Sequence, residues 1–154
     1  MTNPKIQTCS IRLGTVLGDS KGLMDVFVLS KFIKQALNDE PITIIGSNQE
    51  FDLIDIEDVC DALIRLIKLP ANQLETCYNL SSKRSYSILE FENQAIDAVK
   101  RIKGECRTII TVDPQDIHLK YRLDSSKLYK ALNWEPKVSL LETIDGLVNY
   151  YMNQ

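Results

Sequence analysis

Histidine, clustered glycine, paired cysteine and long apolar runs are what this 154-residue chain has little of. Its one histidine, His118, and its scattered cysteines, Cys9, Cys60, Cys77 and Cys106, include no C-x-x-C, so the closely spaced ligand pairs of a zinc site are missing. The thiols read as reduced and structural, with Cys60 and Cys77 acting as small hydrophobes inside apolar patterns, and four free thiols favour a reducing compartment. His118 has no positioned partner in the sequence and reads as solvent-exposed. No apolar run approaches the roughly 20 residues of a membrane span. The opening MTNPKIQTC lacks the basic-then-apolar order of a signal peptide, so the expectation is a cytoplasmic chain with no membrane partner. A formal charge of -3 argues against nucleic acid as a partner. The six glycines form no cluster that would bring backbone N–H groups onto a pyrophosphate.

What is present is an ordinary globular composition, 44% hydrophobic and 25% charged, with one domain over 1–154 as the default. Pro41 to Pro70 organises it. Ile42, Ile44 and Ile45 give a β-branched run, Gly46-Ser47-Asn48 a turn, and Phe51 to Ile56 a second strand. Asp58 stands where an N-cap belongs, with Asp61 three residues on. Val59, Ala62, Leu63, Leu66 and Ile67 then recur at helical spacing until Pro70.

Lys5 to Leu17 reads as one buried strand running into a loop at Gly18-Asp19-Ser20. Loops at strand ends are where ligands sit in α/β sheets, so Arg12 to Asp19 is either a functional segment or a plain strand exit. Met24 to Asn38 is a helix with Phe27, Phe32, Ile33, Ala36 and Leu37 on one side. Cys77 to Leu80 is a short strand. Ser87 and Glu90 open a helix from Ile88 to Lys103 with a capping box, and Gly104 stops it. Cys106 to Val112 is a strand, Gln115 to Arg122 has no clear period, and Asp124 caps a short helix carrying Leu128 and Leu132. Ser139 and Glu142 form a second capping box before the last helix. This alternation predicts an α/β fold with a mixed, partly parallel sheet.

Five spaced segments resemble one family. Arg12-Leu13-Gly14-Thr15-Val16-Leu17-Gly18 is similar to Arg-x-x-Asn-x-Tyr-Gly. Phe32-Ile33 through Ala36-Leu37 to Pro41 and Gly46, Asp52 to Val59, Tyr78-Asn79-Leu80-Ser81-Ser82, and Asp124-x-x-Lys127 with Leu132-Asn133-Trp134-Glu135-Pro136 follow in the family's order. Together they resemble the C-terminal, substrate-binding half of the extended short-chain dehydrogenases/reductases, the NAD-dependent nucleotide-sugar epimerases and dehydratases. The resemblance implies the C-terminal part of a Rossmann-like fold, without its first half. The family's glycine-rich turn and catalytic Tyr-x-x-x-Lys have no counterpart here, so the chain is expected to carry no catalytic residue, to bind no cofactor alone and to be inactive alone. An intact member would use NAD or NADP.

The resemblance also implies a nucleotide diphosphate-sugar ligand. Thr15 stands where the family has an Asn that bonds it, Leu17 where it has Tyr, and Phe51 where it has an Arg suited to diphosphate. Lys120 or Arg122 falls near the family's second basic position, as a phosphate contact or as plain surface charge. The alternative is a non-catalytic binding or assembly module, whose open sheet edge pairs with another copy or with a separate Rossmann half.

Overall fold

The computed structural model describes residues 7–18, 28–46, 49–113 and 119–154. In chain order they form β1 (Ser10–Leu13), β2 (Thr15–Leu17), α1 (Val28–Leu37), β3 (Ile42–Ile45), β4 (Glu50–Asp55) and α2 (Ile56–Ile67). A 3-10 turn at Ala71–Gln73 follows, then β5 (Cys77–Leu80), β6 (Ser85–Ser87), α3 (Ile88–Lys103), β7 (Ile110–Asp113), α4 (Ser126–Leu132) and α5 (Leu140–Met152). The fold is α/β, as expected. β1 pairs with β5, β2 with β4 and β3 with β7, all parallel, while β6 runs antiparallel to β4.

The expected single strand from Lys5 to Leu17 is two strands broken at Gly14, each with a different partner. The break is steric. A Cβ on Gly14 would lie 3.0 Å from both the Asp52 carbonyl oxygen and the Ser81 Cβ, a closeness that favours glycine where the chain passes between them. Gly18, at φ +141°, ends β2 so close to Ile56 that a Cβ would sit 2.4 Å from its Cγ2. Asp19, Ser20, Met24 to Phe27, Ser47, Asn48 and His118 lie outside the described residues, as does most of the aperiodic stretch before Arg122.

The strand-to-helix joint starts one turn earlier than the sequence suggests. Asp55, not Asp58, is the N-cap of α2, accepting the Glu57 N–H at 2.8 Å. Asp58 sits inside the first turn and is buried because it serves another segment: it accepts the backbone N–H groups of Lys137 and Val138 at 2.9 Å. Asp61 likewise is no capping-box partner. It takes the Trp134 Nε1–H at 2.7 Å and pairs with Arg65 at 3.0 Å. Asp55 also accepts the Thr143 hydroxyl at 2.7 Å. Carboxylates at every third position thus fasten the joint to the chain's last third.

Two apolar interiors meet at this joint. The larger gathers Phe32, Ile33, Ala36, Phe91, Ala95, Val99, Ile144 and Leu147 from α1, α3 and α5, with Ile42, Ile44 and Leu53 beneath. The smaller lies under α2 and α4, where Val59, Ala62, Leu66 and Leu128 cover Tyr78 and Leu80 of β5. Ile67, expected on the buried stripe of α2, is exposed instead, and so is Cys60. Helix α3 runs over Ile88–Lys103 as expected, but only half of its capping box forms: Ser87 accepts the Glu90 N–H, while the Glu90 carboxylate pairs with Arg84. The Ser139–Glu142 box is complete.

The strand expected from Cys106 starts only at Ile110, because residues 106–108 are tied to the end of α1. The Cys106 Sγ–H and Thr108 hydroxyl both donate to the Ala36 carbonyl, and the Arg107 N–H donates to Asp39 at 2.6 Å. Asp124 assists α4 by accepting the Ser126 N–H at 2.9 Å, though Ser125 is the residue at the cap position. The short strand β6 has no apolar alternation to reveal it, only Ser-Tyr-Ser.

Candidate functional site

Where β2 leaves Gly14, its Thr15 faces a groove of about 470 Å³ whose other wall is Lys120, Tyr121 and Arg122. These residues are far apart in sequence, and the backbone brings them together. The Glu50 N–H donates to the Leu119 carbonyl at 2.8 Å, and the Tyr121 N–H returns to the Glu50 carbonyl at 3.1 Å. Asp52 then holds the wall from below. Only 3% exposed, it accepts the Leu123 N–H and, at 3.0 Å, the Ser85 hydroxyl. A buried carboxylate is retained where such donors compensate its lost hydration.

A second set of bonds fixes the lower end of the wall. The Ser81 N–H donates to the Ser125 hydroxyl at 2.9 Å, and Asn79 donates to the Asp124 carbonyl at 3.1 Å. Tyr129, whose phenol is pushed up by burial, donates its O–H to the Ser81 carbonyl. The Ser81-Ser82 segment is therefore a clamp for residues 123–125.

Thr15, Lys120 and Arg122 thus share one groove. Their availability differs. Lys120 is paired with Glu50 at 2.7 Å on the surface, so part of its charge is already answered. Arg122 is exposed and lines both this groove and a neighbouring cavity of about 430 Å³ that Lys83 also lines. Asp124 beside it is held below the ordinary carboxylate range chiefly by the Ser126 backbone N–H, with the charges of Lys130 and Arg122 adding.

Phe51 is not a groove residue. It alternates with Asp52 along β4 and packs on the larger core, its ring 6.4 Å from that of Tyr121. Tyr121 is thereby backed by an aromatic and shows its own ring to the groove. Sequence reasoning missed Asp52 and Tyr121 as site residues. The signal for Asp52 was its place at the head of the three-residue acid spacing; nothing in the aperiodic segment around Tyr121 announced it.

A larger cavity, about 640 Å³, lies elsewhere, between Arg65, Tyr129 and Trp134. Arg65 and the Trp134 indole are both committed to Asp61, which gives that cavity a structural lining.

Three of the described helix starts are ill suited to the pyrophosphate of a dinucleotide. The N-terminus of α2, the helix that follows β4, is capped by Asp55 and followed by Glu57 and Asp58, an arrangement that repels a pyrophosphate. The N-termini of α3 and α5 are likewise taken by Ser87 with Glu90 in the first turn and by Ser139 with Glu142.

Comparison with known proteins places the sequence and the fold. The chain is 28% identical over 144 residues to UDP-glucuronic acid decarboxylase 1 of Arabidopsis thaliana, covering 93% of this chain and 32% of that protein. It is 31% identical over 144 residues to a UDP-glucuronate 4-epimerase of Thermodesulfobacterium geofontis, covering 91% and 42%. The fold matches the UDP-glucuronic acid 4-epimerase of Bacillus cereus, solved with UDP-glucuronic acid and NAD, with a TM-score of 0.75 at 24% identity over 94% of this chain and 45% of that one. It also matches the UDP-glucose 4-epimerase of Thermotoga maritima, solved with UDP-glucose, with a TM-score of 0.73 at 21% identity over 93% and 45%. The chain therefore spans between a third and a half of the length of these relatives. The model of the NAD dependent epimerase/dehydratase family matches residues 2–81, the half that holds β1 to β5 and the acid-spaced joint, and the chain belongs to that family.

Proposed function

We propose that this chain is the substrate-binding part of a nucleotide-sugar epimerase or dehydratase, and that its ligand is a nucleotide diphosphate-sugar held in the groove between Thr15 and Arg122. The observation that carries this reading is the convergence of a hydroxyl on β2 with the cationic segment 120–122, locked in place by the buried Asp52. Thr15 supplies a hydrogen-bonding hydroxyl, and Arg122 a two-pronged donor for phosphate oxygens. Lys120 adds charge when it exchanges Glu50 for the ligand. Tyr121, backed by Phe51, offers an apolar face.

The chemistry that the family performs belongs to residues this sequence does not contain. It has no Tyr-x-x-x-Lys and no glycine-rich turn, and the starts of α2, α3 and α5 disfavour a pyrophosphate. NAD or NADP serves the reaction only in company with a cofactor-binding half, and the chain alone binds sugar nucleotide without turning it over. Among the described residues no helix is long and apolar enough to cross a membrane. A cytoplasmic setting suits the free thiols.

Calorimetric titration tests the reading. UDP-glucuronic acid should bind the isolated chain, Arg122→Ala should weaken it by about tenfold, and NAD should give no heat of binding. Equal affinity of the wild type and Arg122→Ala for UDP-glucuronic acid would refute the groove as the site.

A further inference from the structure

Arg65, Lys130 and Lys137 line one cavity of about 640 Å³ and come to it from different parts of the chain. Arg65 belongs to the last turn of α2, Lys130 to the last turn of α4, and Lys137 to the loop that leads into α5. That loop is fastened along its length. Asn133 closes α4 in the left-handed region at φ +45°, and the Trp134 N–H donates to the Tyr129 carbonyl at 3.1 Å. The Trp134 indole is bonded to Asp61 at 2.7 Å, and the Lys137 N–H to the buried Asp58 at 2.9 Å. The walls therefore stand in place before a ligand arrives, which lowers the cost of binding one.

The acids nearby leave these cations largely unanswered. Asp58 is taken up by backbone N–H groups, and the Glu135 carboxylate pairs with Lys83. Asp61 accepts only the Nε–H of Arg65, at 3.0 and 3.1 Å, so the two terminal nitrogens of that guanidinium keep their donors. The Arg65 hydrogen bond holds Asp61 below the ordinary carboxylate range, with the Lys137 charge adding, so both cations act on the same side of the cavity. Among the described residues neither Lys130 nor Lys137 has an ion pair, and both are exposed. The C-terminal ends of α2 and α4 carry about half a negative charge each, which offsets part of two full lysine charges and leaves an excess. Lys137 also stands two residues before the Ser139 cap of α5, where a helix dipole disfavours a cation. In a chain of formal charge -3, a cavity with this balance is the exception.

We propose that this cavity is a second anion site, binding a phosphate group, free or carried by a small ester, between the Arg65 fork and the ammonium groups of Lys130 and Lys137. The guanidinium presents parallel N–H donors to phosphate oxygens, the lysines supply point charge, and the Asn133 amide on the lining is a further donor. The volume is that of a pocket for a small organic ligand and exceeds a bare phosphate, so the rest of an ester has room. No residue lines both this cavity and the groove at Thr15, so the proposal stands independently of the sugar-nucleotide reading.

The test is a proton–nitrogen NMR titration of the chain with inorganic phosphate, with ribose 5-phosphate and, as the uncharged control, with ribose, at a constant ionic strength of about 0.15 M. Both phosphates should move the Trp134 indole and Asn133 amide signals saturably, with dissociation constants of about 1 mM or tighter, and ribose should not. Replacing two exposed charges together, Lys130→Gln with Lys137→Gln, should leave the fold intact and weaken binding by about tenfold or more. Arg65→Lys keeps the charge and loses the fork, and should weaken binding by about threefold or more. Arg122→Ala, in the groove, should leave the Trp134 titration unchanged. Tighter binding of ribose 5-phosphate than of inorganic phosphate assigns the site to an ester; equal or weaker binding assigns it to free phosphate, and both uphold the anion site. The proposal is overturned if no saturable shift appears by about 10 mM phosphate. It is equally overturned if ribose alone produces the shifts, or if they persist at the same affinity in the double lysine variant.

Discussion

Leu53 and Ile54 are neighbours on β4, yet they belong to different interiors. Leu53 lies beneath the three-helix core, where α1, α3 and α5 close on one another over β3. Ile54 lies in the smaller core under α2 and α4, which sits on two strands and leaves a strand edge and a helix face uncovered. The difference teaches where this chain is self-sufficient. The helical side closes its core with three helices, though Val28, Ile45 and Leu141 stay exposed there, and the sheet side leaves Leu13, Ile64 and Ile67 in water. Between them Asp52 holds the segment that walls the groove, and Asp55, Asp58 and Asp61 hold residues from Trp134 to Thr143.

The sharpest way to break the contrast is truncation on each side. Phe91→Ala, in the closed core, should cost about 3–5 kcal/mol in chemical unfolding, against no more than about 0.5 for Ile67→Ala on the open face. Similar losses at both positions would erase the distinction.

Glu92 probes the closed core by pH. It is 0% exposed, neither carboxylate oxygen has a hydrogen-bond partner among the described residues, and burial pushes its pKa up from 4.5 to about 8. The folded chain therefore keeps a proton that the unfolded chain releases. Stability should be greatest from this group at low pH, fall as pH rises from about 4.5 to about 8, and level off above. The total is on the order of 2–4 kcal/mol. Glu92→Gln should remove that slope in melting curves taken across the range; an unchanged slope would contradict the assignment. Glu142, held below the usual range by the Ser139 N–H and hydroxyl, works oppositely: its contribution is present above about pH 4.5 and disappears as pH falls.

Next in size is the joint. Asp58→Ala leaves the Lys137 and Val138 N–H groups without their acceptor and should cost about 2–3 kcal/mol in urea unfolding. Trp134→Phe removes only the indole bond to Asp61 and should cost about 1 kcal/mol by the same measurement. Smallest is Lys120→Ala. Its exposed pair with Glu50 predicts a stability change within about 0.5 kcal/mol, while sugar-nucleotide affinity falls.

Much of this was legible in the residues themselves. The helix from Ile88 to Lys103, the strand from Cys77 to Leu80 and the Ser139 box follow from local rules, and the structure has them at those positions. The errors arose where a distant segment decides. Asp58 looks like a cap because its true partners, the amides of Lys137 and Val138, are remote in sequence. Gly14 looks like an ordinary strand glycine until Asp52 and Ser81 close on it. Thr15, Lys120 and Arg122 were legible as polar residues at or near positions that the resemblance makes substrate-binding. Their common groove depends on Asp52 holding Leu123, which no periodicity encodes. Phe51 marks the opposite case: the position was noticed, but strand alternation turns its side chain to the core.

The most direct test is thermal unfolding of the purified chain with UDP-glucose, UDP-glucuronic acid and NAD added separately. A ligand at a hundred times its dissociation constant stabilises by about 2.7 kcal/mol, which should raise the midpoint by several degrees in a domain of this size. The account predicts a rise with a UDP-sugar and none with NAD. A rise with NAD, or none with either sugar nucleotide, would contradict it.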